Sequence, residues 1–567
     1  MAAATEEKLP ATAERATANT DRRLRITPLG GLGEFGLNSL LVEWQEQAIL
    51  VDAGAMVPSP DTPGVDSIAP DFRALRQRRL HGIFLTHGHD DHIGALAFAL
   101  REQQAPVFGS PLTLGLAQRR LRDRGVSGEM RALLPGQPVE AGPFRVYGIR
   151  VAHSVSDSLA LAIETPVGTL IHSGDFKLDS TVAPEQQTDL ETLAQWGERG
   201  VLALLSDSTN VERCQAARGE DDVIPAFEDV FARARGRVLV SCFSTALPRI
   251  ERVARLAQRA GRQVCFLGRR MLDNVDVALE HGQLDIRPEY RIAASQAAGY
   301  PADKLTLFVS GSQGEPGSAL SGLARGDHRG LTLGAEDTLV LSARVIPGCE
   351  RSVSRVMGGF FRQGCTVVHP GSALVHVSGH GHRDDLAELL RLVKPRYFVP
   401  LHGEYRMLAQ HARLAAEFGV SADRLGLIED GDVLALDETS LEKIAAGQSG
   451  RLLLDPSGDS PVEACVVRER RELGIRGLVV PIMVIDKDTR RLHTTPRLIG
   501  RGVFDSAGAR DMLEEASGVA AACFEDRRPT ELEDNALAEE RLRGELRRFF
   551  RKRAGRRPLI SPVIVEI

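Results

Sequence analysis

The residues best suited to chemistry are histidines and aspartates that end predicted strands. His87, His89, Asp91 and His92 lie within the six-residue run HGHDDH, directly after an apolar stretch at 82–85. His153 ends the stretch 145–151, Asp175 sits in a Ser-Gly-Asp turn after 169–172, and His402 follows 396–400. Metal catalysis needs neutral imidazoles and carboxylates held on rigid elements and aimed at one point. Alternate residues of a turn point different ways, so His87 and His89 can serve one ion while Asp91 and His92 serve another. A carboxylate such as Asp175 can bridge the two. The competing reading of the Asp-rich run is a helix cap, with Asp90 or Asp91 before a helix starting at Ile93. So many ligand types at strand ends favour metal.

The elements that would position these groups follow from hydrophobic period. Short strands are expected at 24–28, 39–44 and 48–51, then a helix at 72–79 and a strand at 82–85. Ile93, Leu96, Ala97 and Leu100 mark one face of a helix. Strands recur at 145–151, 159–164, 169–172 and 202–205. Beyond residue 221 the rhythm changes. Apolar runs at 238–243, 263–267, 306–309 and 338–342 alternate with helical segments, the pattern of a parallel sheet with crossover helices. The first style returns at 371–430. A turn-rich, acidic stretch at 429–460 reads as a linker with some short strands, and a strand at 477–485 with a basic helix at 531–553 suggests a small terminal α/β unit. The helix carries an apolar face of Leu542, Leu546, Phe549 and Phe550, which favours packing over nucleic-acid contact.

Composition sets the outer limits. The 567 residues exceed a single core, and 43% hydrophobic with 26% charged residues is ordinary for a globular protein. No apolar run approaches the ~18 residues of a membrane span, and the first twenty residues are polar with no apolar leader core. No membrane association is expected. The net charge of −6 removes any simple argument for nucleic acid but does not forbid a basic groove. Only seven of the 70 basic residues are Lys, a bias attributed to genome composition. The seven cysteines are scattered singly, without a CxxC pair, as suits a reducing cytoplasm. GLGEFG at 31–36 matches a dinucleotide-binding pattern, but a strand follows where a helix is required, so a tight turn beneath the metal site is expected instead.

HGHDDH with His153, Asp175 and His402 resembles the metallo-β-lactamase hydrolases. GGLGEFG at 30–36, DAGAMVP at 52–58, HSVSDS at 153–158, SGDFK at 173–177 and LLSDSTN at 204–210 narrow the match, as do GSQGEP at 311–316, HVSGHG at 376–381 and HGEYRM at 402–407. Together they resemble the bacterial ribonuclease J family of the β-CASP branch, from about residue 25 to the C-terminus. The resemblance implies an α/β fold: a metallo-β-lactamase αββα sandwich with an inserted β-CASP parallel α/β domain and a small α/β C-terminal domain. The implied division is a flexible tail at 1–20, a metallo-β-lactamase domain at 21–220 and 371–430, the β-CASP domain at 221–370, a linker at 431–463 and a dimerisation domain at 464–567.

The resemblance assigns one zinc to His87, His89 and His153 and a second to Asp91, His92 and His402, with Asp175 bridging; Mn²⁺ or Mg²⁺ can stand in for zinc. Asp52 matches the carboxylate that orients ligand imidazoles. Asp207 and His380 match the family's motifs, with His380 as general acid and Asp207 orienting it. Ser244, Thr245, His376, Ser378, Gly379 and His380 would contact substrate. A structural Ca²⁺ would lie near Pro63, Val65 and Asp455. The implied activity is 5′-to-3′ exonuclease with endonuclease action on single-stranded RNA, preferably 5′-monophosphorylated, by a cytoplasmic homodimer that can pair into tetramers and join an RNA-decay complex. The chain departs from the family pattern at Ala246, where an amide is usual, and at Ala343-Arg344 and Cys349. Two other readings use the same residues. A small-molecule hydrolase such as a lactonase would not need the insertion at 221–370, and an inactive paralogue scaffolding RNA decay would be expected to have lost a bridging ligand.

Overall fold

The computed structural model describes residues 22–58, 62–328, 330–447, 449–455, 461–504, 508–526 and 535–567. The tail at 1–20 and the start of the basic helix at 531–534 lie outside these. The chain forms two compact units, one running to Val57 and through Ser67–Leu452, the other made of Pro58–Asp66 and Leu453–Ile567.

In the first unit, two sheets pack face to face. One has eight strands and begins, in spatial order, with Leu441–Ala446, Asp432–Leu436, Leu24–Gly30, Ser39–Trp44, Gln47–Val51 and Arg79–Phe84. The other has six, among them Tyr397–Leu401, Ala203–Asp207, Gly168–His172, Ser158–Thr165 and Phe144–Val151. Period-two alternation sends Ile26, Val42 and Ile49 of the first and Val146, Leu161 and Leu205 of the second into one shared core. The outer face of the six-stranded sheet, with Ile149, Ile171, Leu204 and Phe398, is covered by helices Leu190–Arg199, Arg383–Val393 and Tyr405–Glu417. This is the αββα arrangement.

Strands Gly168–His172, Ala203–Asp207 and Tyr397–Leu401 are mutually parallel, and Gln47–Val51 runs parallel to Arg79–Phe84. Their C-terminal ends therefore share one edge of the sandwich. A third sheet is wholly parallel, in the order Gln263–Leu267, Leu305–Val309, Val238–Ser241, Thr338–Leu341 and Thr366–Val368, around its own core. In the second unit, strand Leu478–Ile485 pairs with Arg497–Arg501, Leu559–Ile560 and Val563–Glu566. Helix Asn535–Ala554 buries Leu542, Leu546 and Phe550 there.

Three expectations change. The stretch 431–463 is not simply a linker: Asp432–Leu436 pairs antiparallel with Leu24–Gly30, and Leu441–Ala446 extends the sheet further. Residues 448 and 456–460 of that stretch lie outside the described ones. The apolar residues after His92 occupy two short helices, Asp90–Ile93 and Leu96–Glu102, because the Ala95 N–H leaves the helical ladder to bond the Ala53 carbonyl at 2.8 Å. The helix expected at 72–79 is the 3₁₀ turn Phe72–Gln77, capped by Asp71, and Arg79 already belongs to the next strand.

Leu434 is 2% exposed within the shared core. Leu434→Ala should destabilise the first unit by about 2–5 kcal/mol, the cost of a cavity in a packed core. Urea unfolding followed by tryptophan fluorescence checks this; a change below about 0.5 kcal/mol, as for a surface substitution, would restore the linker reading.

Candidate metal centre

The shared edge brings the strand-end residues to one point. The HGHDDH turn leaves strand Arg79–Phe84 and is held from behind by the segment after Gln47–Val51. Ala53 N–H donates to the His92 carbonyl at 2.8 Å, Ala55 N–H to that of Asp90 at 2.9 Å and Asn38 N–H to that of Asp91 at 3.1 Å. Gly54 is required at this approach, since a Cβ there would overlap the Asp91 carbonyl. The turn at 31–36 lies close by. Gly31, Gly33 and Gly36 all have positive φ, and Leu32–Gly33 pairs with Gly403–Glu404 beside His402, with no helix following as a dinucleotide site needs.

Each imidazole is oriented by a second hydrogen bond on its far nitrogen. His92 Nδ1 donates to Asp52 Oδ2 at 2.8 Å, and Asp52 also accepts from the Thr86 N–H and hydroxyl, both at 2.8 Å. His153 Nδ1 donates to the Gly379 carbonyl at 2.7 Å. His402 Nδ1 lies 2.7 Å from the Thr209 hydroxyl, and His87 Nδ1 lies 3.1 Å from that of Thr86. Bonds of this kind fix ring orientation and leave the opposite nitrogen as ligand. His89 presents Nδ1, at 3.0 Å from His87 Nε2 and 3.2 Å from His153 Nε2.

The opposite nitrogens surround one oxygen. Asp175 Oδ2 lies 3.3 Å from His92 Nε2, 3.5 Å from His87 Nε2, 3.7 Å from His402 Nε2 and 3.8 Å from His153 Nε2. Asp91 Oδ2 stands 3.5 Å from His402 Nε2 and 3.7 Å from His92 Nε2. Two metal-competent groups result: His87, His89, His153 and Asp175, and then Asp91, His92, His402 and Asp175. A third grouping joins Asp175 and His402 to Asp207 and His380, the pair that faces the same point. Asp175 Oδ2 and His402 Nε2 are buried without any hydrogen-bond partner among the described residues. Orphaned buried atoms are costly, and divalent cations would satisfy both. The donor set of imidazole and carboxylate suits zinc or manganese.

The charge pattern agrees. Burial, reinforced by the charges of neighbouring histidines, holds His87 and His153 well below the ordinary histidine pKa, so both are neutral ligands. Burial opposes charge on His92 and His402 too, but Asp175 and the carboxylates around them outweigh it, raising His92 well above its usual value and His402 to about 9. Protons thus occupy the places that cations would take.

Asp207 and His380 stand together at the rim. His380 Nδ1 lies 2.8 Å from Asp207 Oδ2, and Asp207 Oδ1 accepts from the N–H and hydroxyl of Thr209. The His380 side chain is 19% exposed, more than His87, His92, His153 or His402. Ser378 accepts from Asn210 Nδ2 at 2.8 Å, and the same amide reaches the His380 carbonyl at 3.2 Å. Gly379 packs against His153, where a Cβ would meet the ring at 2.8 Å.

The other expected substrate residues lie farther out. His376 Nδ1 is 3.0 Å from Arg249, and burial, with Arg249, lowers its pKa to about 3. Ser244 and Thr245 lie between strand Val238–Ser241 and helix Leu247–Arg259, where the Ser244 hydroxyl accepts from Asn274 Nδ2 at 2.9 Å. Asp455 is not in any metal-competent side-chain group among the described residues. The Asp66 N–H to Leu454 carbonyl bond, at 2.7 Å, does bring its neighbourhood beside 63–65.

Sequence reading missed several contributors. Thr86 directly precedes HGHDDH, and Thr209 and Asn210 sit inside LLSDSTN, so proximity to a candidate ligand was their available signal. Asn38, whose amide is 3.3 Å from Asp91 Oδ2, carried none. Asp90 turns away from the centre to pair with Arg120 at 2.7 Å and Arg270 at 2.8 Å. His172 and His411 are buried near the site with burial-lowered pKa values of about 4 and about 3, and they bond the Gly174 N–H and the Ser208 hydroxyl.

Because the raised pKa values keep His92 and His402 protonated at neutral pH without metal, ion binding must expel those protons. Calorimetric titration of metal-free protein with Zn²⁺ or Mn²⁺ at pH 7, in buffers of different ionisation enthalpy, should show proton release and affinity that falls as pH drops below about 9. Binding without proton release would contradict the ligand assignment.

Family models match as follows: the metallo-beta-lactamase superfamily at 32–206, the ribonuclease J beta-CASP domain at 235–360, the Zn-dependent metallo-hydrolase RNA specificity domain at 372–424 and the ribonuclease J C-terminal domain at 465–567. The chain is 34% identical to "Ribonuclease J" of Helicobacter pylori (strain ATCC 700392 / 26695) over 547 residues, covering 96% of this chain and 79% of that one. It is 32% identical to "Ribonuclease J 2" of Staphylococcus epidermidis over 551 residues, covering 96% and 99%. A crystal structure of a protein of unknown function from Enterococcus faecalis V583 shares the fold, with a TM-score of 0.53, 15% identity, and coverage of 73% of this chain and 100% of that one. Among the described residues, no helix is long and apolar enough to cross a membrane.

Proposed function

The chain belongs to the ribonuclease J family and is a metal-dependent ribonuclease, and on that premise we propose that it is a two-zinc phosphodiesterase with 5′-to-3′ exonuclease and endonuclease activity on single-stranded RNA. The observation that carries this reading is the buried Asp175 oxygen, unpartnered and shared between two ligand groups. His87, His89 and His153 would hold one ion, Asp91, His92 and His402 the other, and Asp175 both; Mn²⁺ or Mg²⁺ could replace zinc. Ions bound there would supply Lewis-acid activation of water and of the scissile phosphate.

The protein's own groups do the rest. Asp207 holds the Nδ1–H of His380, which leaves Nε2 as the end that faces substrate. Burial would discharge this ring, but Asp207 and Asp175 outweigh burial and raise its pKa, which favours the protonated form that a general acid needs. Water attacks phosphorus as the P–O3′ bond breaks. The His380 proton passes to the departing O3′, and the proton lost by water goes to solvent. The products are a 3′-hydroxyl and a 5′-phosphate. Ser378 and Gly379, fixed by Asn210 and packed on His153, would contact the phosphate nearest the acid, and His376 the next. Ser244 and Thr245 would hold a terminal phosphate with hydroxyls, without the amide lost at Ala246. Every ligand position is intact, which supports an active enzyme over a scaffold. Assembly as a homodimer through 464–567 and as a tetramer, work in RNA maturation and decay in the cytoplasm, a Ca²⁺ near Asp455 and partners in an RNA-decay complex belong to the same proposal.

His380→Ala should lower the cleavage rate by ~10²–10⁴-fold, as removal of a general acid does, while metal analysis still finds both ions. An ion lost with the ring would make His380 a ligand. Because the acid form is the active one, activity should fall as pH rises through the His380 pKa. Asp207→Asn should move that alkaline limb to lower pH, and an unmoved limb would remove Asp207 from the role.

The overall reading is tested with RNA carrying a labelled 5′-monophosphate. Wild-type protein should release mononucleotide, chelator should stop it, and Asp175→Ala should abolish cleavage while gel-shift affinity for RNA survives. Cleavage by the variant within tenfold of wild type would sink the bridging assignment.

A further inference from the structure

Most arginines around the centre are neutralised by carboxylates. Arg249 pairs with Glu220 at 2.8 Å, Arg120 and Arg270 with Asp90, and Arg406 with Glu212 and Glu404. Arg344 is different: among the described residues it has no ion pair, and its one side-chain hydrogen bond goes to Asn210 Oδ1 at 3.2 Å. Asn210 is the residue whose amide holds Ser378 and the His380 carbonyl.

The backbone of Arg344 is fixed as well. Gln313, buried in the loop after strand Leu305–Val309, donates from Nε2 to the Arg344 carbonyl at 2.9 Å and accepts at Oε1 from the Ile346 N–H at 2.8 Å. The side chain is therefore held at both ends, with most of its five N–H donors unspent. Partial burial and then the like charges of Arg213 and Arg406 lower its pKa, and His376 and His382 also feel its charge. Arg213 and Arg344 repel one another at this rim, whereas the charge of Arg406 is offset by its own partners Glu212 and Glu404. A fixed fork of donors amid that repulsion suits an anion, and bidentate phosphate is its natural partner.

We infer that Arg344 binds a phosphate of the RNA substrate beside the His380 loop. This rests on the ribonuclease reading and adds a contact at a position where the chain departs from its family's pattern. The phosphate is either internal or 5′-terminal, and the assay separates the two.

The experiment measures Kd by fluorescence anisotropy on metal-free, full-length protein, across a salt series, with one RNA bearing either a 5′-monophosphate or a 5′-hydroxyl. Arg344→Ala should weaken binding roughly tenfold or more, as loss of a charged hydrogen bond does. It should also make the slope of log affinity against log salt shallower by about 0.7, one phosphate contact on a single strand. Arg344→Lys should keep the slope while losing part of the affinity. Equal loss on both RNAs marks an internal phosphate; loss only on the monophosphate marks the terminal one. Arg344→Ala with wild-type affinity and slope would overturn the inference, as would a change confined to kcat, which would make Arg344 a support for Asn210. Wild-type protein that holds no RNA would instead contradict the ribonuclease reading, and this inference with it.

Discussion

One carboxylate oxygen organises the catalytic half of this protein. Asp175 Oδ2 is buried, receives no hydrogen bond, and has four imidazole nitrogens within 3.8 Å. Such an arrangement is unfavourable in protein alone, because a desolvated anion without a hydrogen bond is compensated only by protons or cations. The surrounding architecture is what enforces it. Strands from two sheets end at one edge: Arg79–Phe84 leads into four of the candidate ligands, and Phe144–Val151, Gly168–His172 and Tyr397–Leu401 into one each. The carbonyls of the HGHDDH turn are tied to the segment at 52–55 and to Asn38, which leaves the turn little freedom to relax.

The hydrogen bonds behind the ligands explain why rigid placement extends outward. Asp52, Thr86, Thr209 and the Gly379 carbonyl each hold a ring by its far nitrogen. The Gly379 contact is the most consequential, since it ties His153 to the loop that also carries Ser378 and His380. Arg249 bonds the Val377 carbonyl at 3.1 Å and pairs with Glu220, and Lys177 pairs with Asp179 at 2.8 Å in the same buried cluster. The parallel domain is thus coupled to the His380 loop through buried charge. Breaking one partner of such a buried set is strongly destabilising, which argues for a loop that keeps a single position.

The clustering of the candidate metal ligands was legible in sequence because its signal is local: ligand residue types directly after apolar strands. The shared edge was legible for the same reason. What distinguishes Asp91 from Asp90 was not, since the partners that draw Asp90 away, Arg120 and Arg270, are remote in the chain. The composition of 429–460 shows a turn-rich linker with short strands, but not that Asp432–Leu436 joins the core sheet, because its partner, Leu24–Gly30, lies some four hundred residues upstream. Ser244 could be named from its motif, but not the Asn274 amide that occupies its hydroxyl. Helix breakage after His92 depends on one tertiary bond to Ala53, which no periodicity records.

The most direct test of the account is a crystal structure of the metal-loaded protein with anomalous scattering data at the metal edge. The account predicts two peaks about 3.5–4 Å apart, one among His87, His89 and His153 and one among Asp91, His92 and His402, with the Asp175 carboxylate bound to both. A single peak, or two ions of which Asp175 touches only one, would contradict it.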